Sequence, residues 1–337
     1  MTIARHRQLT SDPATHRAAD EIAAIYNKAG KDYLAYADGD PARLFSFDGP
    51  HGYADQQIWH LLQRELARLR ASGKSSIRLL DAGCGPGTWL RRLVVHALEL
   101  GFTDIKARGF DLAVSQVHQA QALARRLSEA SGIHLRFEVA DLTERLPEAD
   151  ASVDVALCLY SVLSHIPAER LSDVAREIAR VTSGYFVATV RSIGSTPSAF
   201  AYPVENIRHL QLRSDRNECE LELSDGTRNA FNFRLFSASQ LRDCFTPHFL
   251  IEEVRGLDVF HTRFSLDRRW NPPELLQDSG VLDELALLEE ACATKAAFID
   301  RATHILLGAR NGGAQGNPTP SGGLSAGDGC HCRKRCR

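Results

Sequence analysis

A chain of 337 residues, 44% hydrophobic and with a formal net charge of -2 at pH 7, can bury a large core in one or two domains, and it lacks the global basic field that draws nucleic acid. Its N-terminal stretch MTIARHRQLTSDPATHR has no apolar run of the secretory kind, and its eight cysteines have no secreted-framework spacing, so a cytoplasmic protein with reduced thiols is expected. The most apolar run, residues 153–166, contains Asp154 and His165 and falls short of the roughly 20 apolar residues that cross a bilayer, which predicts no membrane span.

In chain order, residues 1–75 hold two helical patterns, 19–27 and 57–69, around the polar middle YADGDPARLFSFDGPHGYAD, and are expected to form an N-terminal helical cap. From 76 to 310 strand-like and helical runs alternate, the pattern of a mostly parallel sheet with helices on both faces. Seven strands are predicted at 77–81, 105–110, 135–140, 153–159, 185–190, 249–254 and 303–307. Among the helices, 113–130 keeps Val117, Ala120, Ala124 and Leu127 on one face, and Pro167 suits a helical first turn because its missing N–H is not needed there. Ser237 and Gln240 have capping-box spacing. After strand five, within an insertion at 192–236, Asp225-Gly226 between alternating apolar residues signals a β-hairpin. Residues 311–337 contain seven glycines and almost no large apolar side chain, so a disordered tail is expected.

The stretch RLLDAGCGPGTWL, residues 78–90, reads as a strand, a tight turn and a helix. Its glycines alternate as Gly83, Gly85 and Gly87, which opens a backbone cradle at the carboxyl end of a parallel strand. The dinucleotide frame G-x-G-x-x-G fails, because the third position is Thr88 counted from Gly83 and Leu90 counted from Gly85. An NAD enzyme is therefore disfavoured, and the cradle suits a smaller zwitterion. Aspartates follow the next two strands, Asp111 in ARGFDLA and Asp141 in FEVADL, and VDVALCLYSVLSHIP follows at strand four.

Together these stretches resemble the motifs of class I S-adenosylmethionine-dependent methyltransferases, in register from 77 to about 191. The resemblance implies a seven-stranded Rossmann-like fold with S-adenosyl-L-methionine as cofactor. It further implies that Gly83, Gly85 and Gly87 hold the methionine part of the cofactor and that Asp81 orders the loop and the amino group. Asp111, with Leu112 beside it, would accept the ribose hydroxyls. Asp141 would receive the adenine amino group with Leu142 against the ring, and Leu159 lies in the segment under the methyl group. Read without the resemblance, Asp81 and Asp111 could each be a helix N-cap.

His165 is the candidate general base, having a suitable ordinary pKa, although a histidine beside a proline-led helix also serves as a packing or capping residue. Tyr160, His261 and Arg263 are candidate substrate contacts, the last two in the polar cluster RGLDVFHTRF with Asp258; pocket wall or solvated loop would read the same. Cys330, His331, Cys332 and Cys336 lack the paired spacing of a four-ligand zinc site, and no metal is expected. A (D/N)-P-P-(Y/F/W) segment, with which amino-methylating enzymes orient a nitrogen, is absent after strand four. The expected acceptor is thus a small molecule attacking through oxygen or nitrogen by in-line displacement, with nucleic acid disfavoured. RNA or protein methylation, and binding of the cofactor without catalysis, are the alternatives.

Overall fold

A computed structural model of the chain describes residues 13–29, 43–47, 51–195, 207–223, 225–261 and 279–312. Five strands, β1 (Ser76–Ala82), β2 (Asp104–Asp111), β3 (Ile133–Val139), β4 (Val153–Cys158) and β5 (Thr182–Arg191), alternate with helices α3 (Thr88–Glu99), α4 (Val114–Ser128), α5 (Val162–His165) and α6 (Leu171–Val181). All six residues of β4 are buried whereas β3 alternates, which is the difference between a strand covered on both faces and one at an edge. The sheet runs β3-β2-β1-β4-β5-β10-β9, where β9 is Leu250–Leu257 and β10 is His304–Arg310. β10 is antiparallel to both neighbours; the other pairings are parallel. The Rossmann-like fold with seven strands is therefore present, each strand overlapping its predicted segment.

Adjacent residues of β1 divide the core. Leu79 joins a cluster with Leu90 and Leu93 of α3, while Leu80 joins another with Val174 of α6 and Phe245. Phe245 ends α7 (Ala238–Phe245), which opens on the expected capping box, with Gln240 N donating to Ser237 Oγ at 3.2 Å and Ser237 N donating to Gln240 Oε1 at 3.0 Å. Helices α8 (Ser279–Cys292) and α9 (Ala296–Ile299) lead into β10. Pro167 precedes a 3-10 turn, Ala168–Arg170, rather than entering α6 directly.

Two regions beside the large sheet are more extensive than the sequence indicated. The hairpin is part of a three-stranded antiparallel sheet, β6 (Ile207–Arg213), β7 (Glu218–Leu223) and β8 (Arg228–Asn232). Opposite pairs Leu210 with Leu221 and Leu212 with Cys219 give β7 apolar neighbours on the side away from the turn, and three strands hold where an isolated hairpin is marginal. The turn itself is as read: Gly226 has φ +82° and Thr227 N donates to Asp225 Oδ1 at 2.8 Å. The two helices of the N-terminal segment pack in different places. Helix α2 (Gly52–Ala71) puts Ile58, Leu62 and Leu66, none of them exposed, into the main core, whereas α1 (Pro13–Ala29) meets α4 and β8. The predicted tail from residue 313 onward lies outside the described residues. No helix among the described residues is long and apolar enough to cross a membrane.

Candidate functional site

The glycine turn hangs from β2: Gly83 N and Cys84 N both donate to the Phe110 carbonyl, at 2.8 and 2.9 Å. The next residue on β2, Asp111, braces the turn further. Its Oδ2 accepts from Gly85 N at 2.9 Å and its Oδ1 from Ala113 N at 2.9 Å, so one carboxylate ties the glycine turn to the residue that precedes α4, and Asp111 is not itself the cap of that helix. The three glycines differ in purpose. A Cβ on Gly83 would stand 2.3 Å from a Val162 methyl and one on Gly87 would stand 2.7 Å from the Phe137 ring, while on Gly85 nothing approaches nearer than Gln116 Oε1 at 4.0 Å. Gly83 and Gly87 thus serve close packing, and Gly85, with φ +50°, keeps backbone open to the cavity.

This contrast has a measurable outcome. Gly83→Ala, with φ +77° and the Val162 clash, combines a left-handed backbone cost of about 1–2 kcal/mol with overpacking of about 1–3 kcal/mol, and should lower the thermal midpoint by roughly 5–10 °C. Gly85→Ala incurs only the first cost, so it should lose roughly 2–4 °C and act chiefly on ligand affinity. Equal midpoints for the two variants in differential scanning calorimetry would contradict the assignment.

Asp81, Gly83, Gly85, Asp111, Leu112 and Asp141 line one cavity of about 330 Å³, and so do Leu142, Leu159, Tyr160 and His165. Gly87 does not. Asp81 is 2% exposed and its Oδ2 has no hydrogen-bond partner. Burial and the neighbouring Asp111 charge push its pKa up to about 8. Asp141 accepts from Thr143 N at 2.8 Å, and burial raises Asp111 as well. After β4, Tyr160 and Ser161 take φ of +50° and +73° in succession, a costly conformation for residues with side chains and one that clusters at ligand sites. Tyr160 N is held by Thr189 Oγ1 at 2.7 Å, and its hydroxyl donates to Asp55 on α2. Arg92 pairs with that same carboxylate at 3.5 Å, and its guanidinium lies between the rings of Phe47 and Trp89.

His165 sits beneath α1. Its Nδ1 is 3.2 Å from the Asn232 carbonyl, which can only accept, so Nδ1 carries the proton and Nε2 accepts the Tyr26 hydroxyl at 2.8 Å. Burial lowers its pKa to about 4. A histidine that is neutral and weakly basic near pH 7 suits the role of fixing Tyr26 better than that of the proton-accepting base expected from sequence. Phe231 and Phe233 pack on its ring at 5.7 and 5.1 Å. Above it Ile22 and Ile25, with Leu210, Cys219 and Leu221 of the small sheet, make an apolar wall. Asn27 Oδ1 accepts from Ser115 N at 2.9 Å, docking α1 on the start of α4.

His261 does not reach the cavity lining; its ring stacks on Tyr53 at 4.3 Å. Arg263 lies outside the described residues. Sequence reasoning passed over Tyr26, His51, Asp55, Arg92, Arg191 and His304, all of which line the cavity. None sits in a recognisable local motif, and each arrives by long-range packing. Burial, with Arg191 and His51 close by, holds His304 well below the ordinary histidine pKa.

Residues 79–184 match the family model described as a methyltransferase domain. Two solved structures show the same fold at low identity. One is an S-adenosylmethionine-dependent methyltransferase from Clostridium acetobutylicum ATCC 824, 13% identical, covering 87% of this chain and 99% of its own, TM-score 0.50. The other is the 4+2 cyclase SpnF, 16% identical, covering 87% of this chain and 97% of its own, TM-score 0.51. No curated protein matches the chain in sequence.

Proposed function

From the premise that residues 79–184 form a class I methyltransferase domain with S-adenosylmethionine as its cofactor, we propose that the chain methylates an oxygen or nitrogen of a small, largely apolar molecule. The observation that carries this is the single cavity running from the glycine turn and its three aspartates to the apolar wall of α1 and the small sheet. The donor set fits the cofactor. Asp81 offers a buried oxygen without a partner for an ammonium group, Gly85 leaves its backbone open, and Asp111 and Asp141 stand at the ends of successive strands. The cofactor, when bound, supplies an electrophilic methyl group on a sulfonium.

The chain's own contribution is alignment and exclusion of water, effects that can supply about 7–11 kcal/mol when reacting atoms are held near contact. Tyr160, fixed from both its backbone and its hydroxyl, forms the floor beneath the reacting atoms. Tyr26, oriented by His165, presents a hydroxyl oxygen that can accept a hydrogen bond from the acceptor's nucleophile. Leu210, Leu221 and Phe231 exclude water and select against a charged polymer such as RNA. The test is turnover of methyl-labelled S-adenosylmethionine by the purified chain with a metabolite extract. Label appearing in small, organic-extractable products supports the reading, and label in RNA or protein, or none, opposes it. Because a cyclase shares the fold, cofactor binding without label transfer would count against methylation.

The Asp81 carboxyl predicts a pH signature. A folded pKa of about 8 lies above the unfolded value of about 3.9, so the folded state holds the extra proton and the free protein loses stability as pH rises from about 4 to about 8. A cofactor ammonium beside it favours the ionised form. Binding at pH 7 should therefore release close to one proton, read by calorimetry in buffers of different ionisation enthalpy, and affinity should rise between about pH 6 and 8. Affinity independent of pH, with no proton released, would remove Asp81 from the ammonium site.

A further inference from the structure

His51, Asp258 and His304 come from three distant segments. His51 immediately precedes α2, Asp258 follows β9, and His304 opens β10. Because β10 runs antiparallel to β9 and β5, its first residue meets the end of β9 at the sheet edge where the parallel strands present their carboxyl ends, the usual ligand side. One ligand-type atom of each residue lies within 4.8 Å of the other two, and His51 Nδ1 is 3.7 Å from Asp258 Oδ2. Asp258 is 0% exposed and neither of its carboxylate oxygens has a hydrogen-bond partner; His304 is 1% exposed and its Nδ1 has none either. A buried carboxylate without hydrogen-bond partners calls for a polar occupant beside it, an ion or a water, and two histidine nitrogens at this distance favour an ion.

The surrounding backbone holds the arrangement. Asp258 takes φ +57°, and Thr303, next to His304, donates to its carbonyl from both N and Oγ1 at 3.2 Å. Beyond it, the buried Glu289 carboxylate accepts from the N–H groups of Val259, Phe260 and His261 at 3.1, 2.5 and 2.9 Å. All these bonds engage backbone, which leaves the Asp258 carboxylate to the two histidines.

We propose that His51, Asp258 and His304 bind one divalent transition-metal ion, in the class of zinc, iron(II) or manganese(II). Two imidazoles and one carboxylate suit such ions and leave coordination positions open. Metal–ligand lengths of about 2.0–2.2 Å put neighbouring ligand atoms roughly 3–3.5 Å apart, so a modest contraction closes the set, with the partly exposed His51 the member freest to move. His51 and His304 line the cavity beside Tyr160, whose ring lies 6.0 and 5.5 Å from theirs. The open positions thus adjoin the space assigned to the acceptor. On that point the inference rests on the methyl-transfer reading: the ion would take an acceptor oxygen as a further ligand, favouring molecules with a chelating pair such as a hydroxyl beside a carbonyl. The proposal departs from the sequence expectation of no metal.

The test uses the full chain, stripped with a chelator and titrated with cobalt(II) alone, without cofactor or acceptor, so its outcome is separate from that of the methyl-transfer assay. One ion per chain is expected, with the visible bands of nitrogen and oxygen coordination and without the intense thiolate band that Cys330, Cys332 and Cys336 would give. Asp258→Asn and His304→Gln should each weaken binding at least about 10-fold while His248→Gln, a histidine elsewhere, leaves it unchanged. Should Asp258→Asn not fold by circular dichroism, His51→Gln carries the same expectation. Absence of stoichiometric binding, or wild-type affinity in a folded variant of any of the three residues, would overturn the proposal.

Discussion

Asp111→Ala is expected to weaken S-adenosylmethionine binding by about 100-fold or more in calorimetry. A carboxylate accepting two ribose hydroxyls makes charge-assisted bonds worth about 1.5–3 kcal/mol each, and every 1.4 kcal/mol is tenfold in affinity. The structure adds a second source of loss. Both Asp111 oxygens also accept backbone N–H groups, of Gly85 and Ala113, so the alanine variant releases the turn that carries the glycines. Asp111→Asn keeps one acceptor oxygen and much of the brace, and should fall between alanine and wild type. Affinity within about threefold of wild type in a folded alanine variant would reduce Asp111 to a turn brace.

Replacing residues 219–230 with a short Gly-Ser link should abolish methyl transfer, a loss of about 100-fold or more, while S-adenosylmethionine affinity stays within about threefold. The segment contains most of β7, the central strand of the small sheet, and supplies Cys219 and Leu221 to the cavity. Without it β6 loses its partner and β8 keeps only Phe231 and Asn232, so the rings of Phe231 and Phe233 are no longer held against His165. The glycine turn and its aspartates belong to the large sheet and do not depend on β7. Unchanged transfer of label to the acceptor by the shortened chain would make the small sheet peripheral to catalysis.

What could be read in the sequence is what local periodicity and local backbone chemistry determine. Continuous apolar runs predicted β1, β4 and β5, the capping box marked α7, and alternating glycines after an apolar strand predicted a turn open to a ligand, because each signal is complete within about ten residues. Strand β6 was missed although Leu210 and Leu212 alternate, since Arg208, His209, Gln211 and Arg213 give the segment too polar a character until β7 supplies its apolar pairs. The tertiary structure alone decided the rest. It set Tyr26 against His165 across 139 residues, and it stacked His261 on Tyr53 outside the cavity lining. It also joined His51, Asp258 and His304 at one edge of the sheet, because an antiparallel β10 returns its first residue to the carboxyl end of β9. Such meetings depend on strand order and direction, and those follow from how the whole core packs rather than from any single stretch of residues.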